Sequence, residues 1–197
     1  AAFAEPSRSR LVLPIDEPPD QLYRLIVHEL THIFEFDIIP RGIMGGGLPL
    51  WVDEGLANYM AGYWNPLDLM QVRDAALTDN VPKMSRFEAA PLTGRLPYSM
   101  GHAAFEFIES RWGKEGIRQF LFSLRKNVLG SGETAYEEAL KLKAEDFDDQ
   151  FDRYIKEMQS AITDSTGTDG VVTRVTEVGT AVGHVVAGFF IVLFSTY

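Results

Sequence analysis

Apolar residues recur at three- and four-residue intervals along much of this chain, and that spacing predicts helices. Leu22, Leu25, Ile26, Leu30, Ile33 and Phe34 mark the buried face of a helix from about Asp20 to Phe36. Asp20 follows Pro18-Pro19 as its expected N-cap, and Pro40 and Gly42 end it. Leu50, Val52, Leu56, Tyr59 and Met60 predict a second helix from Leu50 to about Tyr63, broken by Trp64-Asn65-Pro66. A third, from Pro66 to Leu77, is capped by Asn65 or Asp68. Thr78 to Pro97 reads as a long connection with a single turn near Ser85 to Glu88. Four more helices follow, at about Ser99 to Trp112, Lys114 to Lys126, Gly132 to Leu142 and Ala144 to Ala161. Their stripes of Phe105, Ile108, Ile117, Phe120, Tyr136, Phe147, Phe151 and Ile155 are core positions.

Only Arg10 to Ile15 reads as a strand near the start, after a loosely structured Ala1 to Ser9. One strand cannot make a sheet, so further strands are expected before Ala1. The fold class is therefore mainly α, in the α+β sense. Thr163 to Gly170 is a polar linker. Val178 to Tyr197 carries no charged side chain over a length that fits a bilayer-spanning helix. Gly179, Gly183, Gly188 and His184 favour instead a strand pair, Val171 to Val178 and Val182 to Phe194. Three parts result: 1–62, 63–162, and a linker with an apolar tail over 163–197. Membrane contact through residues 178–197, and with it an extracytoplasmic or cell-envelope location, is one expectation.

Composition narrows the chemistry. A chain of 197 residues can bury a real core. Its net charge of −10 argues against nucleic acid, which calls for a basic face. With no cysteine, disulfides and thiolate metal sites are excluded.

The first predicted helix carries His28-Glu29-Leu30-Thr31-His32. Residues four apart on a helix share a face, about 6 Å apart, so two imidazoles there reach one metal ion. Glu29 points to the adjoining sector, towards a metal-bound water. A hydrolytic zinc site takes three protein ligands and leaves one position open. Glu35 lies on the same helix and closes such a site poorly. Glu54, in Trp51-Val52-Asp53-Glu54-Gly55-Leu56-Ala57, returns on the next helix after a glycine-rich loop and is the better third ligand. Asn58 shares the face of Glu54 and is a candidate to accept the free N–H of a ligand histidine.

H-E-L-T-H followed by W-V-D-E-G-L-A resembles the gluzincin, peptidase MA-like, zinc metallopeptidases, above all the aminopeptidase-N-like branch with its W-x-x-E-G motif. Pro97-Tyr98-Ser99-Met100-Gly101 is similar to that branch's P-Y-x-x-G helix start. The likeness runs in order from about Leu11 to Ile155. It implies a zincin-like catalytic domain, one Zn²⁺ held by His28, His32 and Glu54, Glu29 as general base, and Tyr98 as oxyanion donor. It also implies an edge strand beside the active-site helix that pairs with extended peptide or protein substrate. The interval to Glu54 is longer than usual, and the G-x-M-E-N-type motif that binds a free amino terminus is missing. Aminopeptidase specificity is therefore not carried over.

Lesser candidates remain. His102, four residues after Tyr98, either assists at the site or is structural, and the structural role is favoured. Asp53 is expected to cap the Glu54 helix. Arg86 and Arg95 are candidates for a substrate carboxylate. The expected function is a zinc-dependent peptidase. The alternatives are an inactive metal-binding or structural domain of a larger or membrane-anchored protein, and a metal-free helical anchoring module. Glu29 and Tyr98 favour the enzyme, because a scaffold needs only ligands.

Overall fold

A computed structural model describes residues 2–39, 48–87, 94–128 and 134–165. These residues are mainly helical, with six α-helices and one two-stranded sheet among them. The chain opens on a hairpin. Strand β1 (Phe3–Glu5) runs antiparallel to β2 (Arg10–Val12), with Phe3 opposite Val12 and Glu5 opposite Arg10. A 3-10 turn at Pro6–Arg8 and Ser9 in the left-handed region (φ 47°) join them. The segment read as loosely structured thus contains a strand. Three residues are too short for a period-2 signal, and pairing supplies the order that propensity does not. Pro14 lacks a backbone N–H, β2 stops before it, and Ile15 is almost fully exposed.

Helix α1 (Pro19–Ile38) starts with Pro18 at the cap position and Pro19 at the first helical position, where no N–H is required. Asp20 is therefore not the cap; it lies inside the first turn, where its charge complements the helix dipole. The apolar stripe is also less enclosed than its periodicity predicts. Leu22, Leu25, Ile26, Leu30 and Phe34 are half-buried, while Glu29, Thr31, His32 and Glu35 are buried with Val27 and Ile33. The polar face of α1 is turned inward against α2.

Helix α2 (Leu50–Ala61) closes on Gly62 at φ 66°. Helix α3 (Pro66–Leu77) is capped as expected by Asn65, which accepts from Leu67 N–H at 2.9 Å. A 3-10 turn at Met84–Arg86 lies in the long connection; Ser85 N–H and Oγ donate to the Asp148 carboxylate at 3.0 and 2.5 Å. Helix α4 (Leu96–Val128) starts before the predicted position, taking Pro97 and Tyr98 into its first turn, and is broken at Gly113 (φ 65°, ψ −173°). Helix α5 (Ala135–Leu140) has a capping box between Thr134 and Glu137, and α6 (Ala144–Ser165) follows.

One apolar cluster runs from Val27 to Ile155 and takes in residues of both the first and second sequence-predicted parts. Trp51 of α2 sits 6.1 Å from Phe105 and 6.2 Å from Phe120 of α4, ring to ring. Each fully buried ring of this kind contributes roughly 1.5–3 kcal/mol. Gly55 and Gly101 let the two helix backbones touch. A Cβ on Gly55 would lie 2.5 Å from the Gly101 carbonyl carbon. The residues flanking that contact are Glu54 and, one turn before Gly101, Tyr98.

No helix among the described residues is long and apolar enough to cross a membrane. Of the predicted linker and tail, 163–165 continue α6 instead, and 166–197 lie outside the described residues, as do 40–47.

Candidate metal centre

Two helices supply the donors. On α1, His28 and His32 stand one turn apart, their rings 5.0 Å centroid to centroid and nearly perpendicular. On α2, Glu54 faces them. His28 Nε2 lies 3.3 Å from His32 Nε2 and 3.3 Å from Glu54 Oε2, and His32 Nε2 lies 3.6 Å from Glu54 Oε2. A tetrahedral zinc with bonds of about 2.0–2.2 Å sets its ligand atoms roughly 3.3–3.6 Å apart. The three donors stand at that separation. Two imidazoles and one carboxylate are a donor set for zinc rather than for calcium or magnesium, which take oxygen.

Asp53 is not the cap of α2; Pro49 holds that position. His32 Nδ1–H instead donates to Asp53 Oδ1 at 2.8 Å. That bond turns the ring so that Nε2 faces His28 and Glu54. His32 Nδ1–H thus meets Asp53 rather than Asn58, and no hydrogen bond joins Asn58 to either histidine among the described residues. The signal was in the sequence: Asp53 precedes Glu54 as the neighbouring sector of the same turn, just as Glu29 follows His28. Glu35 is on the Nδ1 side, its Oε2 4.0 Å from that nitrogen, and takes no part in the Nε2 cluster.

The charges lock together. Burial lowers the His32 pKa, but the hydrogen bonds and charges of Asp53 and Glu54 outweigh it and raise it to about 10. Burial likewise pushes Glu54 up, and the two histidines override it and bring it down to about 2. Without metal, the Asp53 and Glu54 carboxylates thus favour the protonated form of His32.

A cleft of about 400 Å³ opens over these groups, lined also by Glu29, Tyr98 and, from the hairpin, Ala2, Phe3, Ala4 and Pro6. The strand that lines the cleft is β1, from the segment whose sequence reads as loosely structured. Glu29 is buried on the same helix as both imidazoles. Burial and the adjoining Glu54 carboxylate push Tyr98 up to about 12, so its phenol keeps a proton to donate.

The other candidates lie elsewhere. His102 stacks on Trp64 at 4.0 Å and meets Glu106 Oε1 at 3.3 Å; Trp64 Nε1–H donates to the same oxygen at 2.9 Å. It is not among the residues that line the cleft. Arg86 is exposed and pairs with Glu145 at 3.5 Å. Arg95 pairs with Asp68 and lies over the Tyr98 ring. No protein-family model, curated protein or solved structure matches the chain.

Proposed function

We propose that this chain is the catalytic part of a zinc-dependent peptidase with a zincin-like fold of the gluzincin type. The observation that carries the proposal is the triangle of His28 Nε2, His32 Nε2 and Glu54 Oε2, with sides of 3.3, 3.3 and 3.6 Å, under a cleft that also receives Glu29 and Tyr98. Zinc, when bound there, supplies a Lewis acid and lowers the pKa of a water to about 7.

The chain's own groups do the rest. Glu29, directly after a ligand and facing the cleft, accepts the proton of the attacking water. Water oxygen bonds to the scissile carbon, and the peptide C–N bond breaks. Glu29 returns the proton to the leaving amine. Tyr98 donates to the oxyanion, a contribution of about 3 kcal/mol. Asp53 holds the His32 ring, since an acceptor on Nδ1–H fixes the tautomer that leaves Nε2 free. The backbone of β1 offers N–H and C=O groups along the cleft to an extended substrate.

The test is a fluorogenic peptide library digested with and without chelator, by the native chain and by Glu29→Gln. Cleavage that chelator abolishes and zinc restores is the expected result. The variant should keep its zinc and lose at least about a hundredfold in turnover. Full turnover by Glu29→Gln removes the assignment of the base, and no cleavage of any peptide removes the enzyme reading.

A further inference from the structure

We propose that Asp68 and Arg95 form a positioning device for Tyr98, a claim that rests on reading Tyr98 as the oxyanion donor. Asp68, on the first turn of α3, is a charged side chain only 4% exposed. Both of its oxygens are taken by one partner: Arg95 Nε–H donates to Oδ1 and Nη2–H to Oδ2, each at 3.0 Å. Two parallel bonds of this kind fix the plane of the guanidinium as well as its place.

Arg95 immediately precedes α4, and its backbone is as engaged as its side chain. The amides of Tyr98 and Ser99 donate to the Arg95 carbonyl at 3.0 and 3.2 Å, which starts the helix. The guanidinium carbon lies 5.0 Å from the centre of the Tyr98 ring, within cation–π range. A second tie reinforces the first: Ser99 Oγ–H donates to Gln71 Oε1 at 3.1 Å. Asp68 and Gln71 are three apart on α3 and so share a face. The start of α4 is thus pinned to α3 at two successive points, and Tyr98 lies between the two pinned residues. A tyrosine at a helix start would otherwise share the fraying of a first turn. The Asp68–Arg95 fork holds its ring over the cleft while the outer edge of the guanidinium remains in solvent.

Removing Arg95 alone leaves a buried carboxylate without its partner, so the working variants are Asp68→Asn and the neutral pair Asp68→Asn/Arg95→Gln. Each should lower kcat about tenfold with KM changed less than about twofold, because a displaced donor weakens the transition state and not ground-state binding. In a Tyr98→Phe background the same changes should cost less than about twofold. Zinc per chain should stay as in the native protein. Amide exchange in the metal-free chain supplies a readout independent of turnover: residues 96–101 should exchange about tenfold faster in Asp68→Asn. Equal kcat losses with and without Tyr98, a rise in KM alone, or unchanged exchange at 96–101 overturns the proposal. If the native chain cleaves nothing, the peptidase reading fails, and the exchange measurement still decides whether the fork holds the start of α4.

Discussion

Gly101→Ala sets two effects of opposite sign against each other. In an ordinary helix interior this change stabilises, by up to about 1 kcal/mol. Here the new methyl would lie 2.7 Å from the Gly55 Cα and 3.0 Å from the Trp51 carbonyl carbon, with the Trp51 oxygen closer still. These are backbone atoms, which no rotamer change moves aside. Comfortable carbon–carbon separation is about 3.5–4.0 Å, so α2 and α4 must part by roughly 1 Å. Overpacking of this kind costs about 1–3 kcal/mol, and more where both walls are main chain. After the helix gain is subtracted, a net loss of about 2 kcal/mol is expected. Urea unfolding of the metal-free chain, followed by circular dichroism, measures it. Because Glu54 adjoins Gly55 and Tyr98 lies one turn before Gly101, zinc affinity and kcat should fall as well. A variant as stable as the native chain, or more so, would refute the close helix contact and with it the placement of Glu54 beside Tyr98.

Tyr98→Phe should lower kcat by about a hundredfold and leave KM nearly unchanged, measured on the best peptide of the library. Zinc binding should be pH-dependent. The metal-free chain holds a proton on His32, whose pKa is raised from 6.5 to about 10 by Asp53 and Glu54 against the opposing effect of burial. Between about pH 7 and 9 the apparent zinc affinity should therefore rise about tenfold per pH unit, with about one proton released per ion from this histidine, as calorimetry in buffers of different ionisation enthalpy would count. In the metal-free chain the same shift stabilises the fold fully below pH 6.5, and that stability is lost as pH rises through about 10. Zinc affinity independent of pH across that range would contradict the proton's place on His32.

The helices were legible because each buries an apolar face at regular spacing and most carry punctuation. Asn65 caps α3, and Gly113 interrupts α4, as the sequence predicts. The hairpin was not legible, since its first strand is three residues long and exists by pairing with the second. At the site, His28, His32 and Glu54 were marked by spacing. Asp53 was misassigned because an acidic residue near a helix start fits a cap equally well from sequence. Its actual partner is on another helix, 21 positions away. The role of Gly55 and Gly101 also needs two helices in register before it can be seen. The Asp68–Arg95 fork joins positions 27 apart, and no local pattern announces it.

Zinc content of the purified chain after exhaustive dialysis, compared with that of Glu54→Ala, is the most direct measurement. About one ion per native chain, with X-ray absorption reporting two nitrogens and light oxygen neighbours at about 2.0–2.1 Å, is expected, together with loss of the ion from the variant. A native chain that retains no zinc, or a Glu54→Ala variant that binds it as tightly as before, would contradict the three-ligand centre.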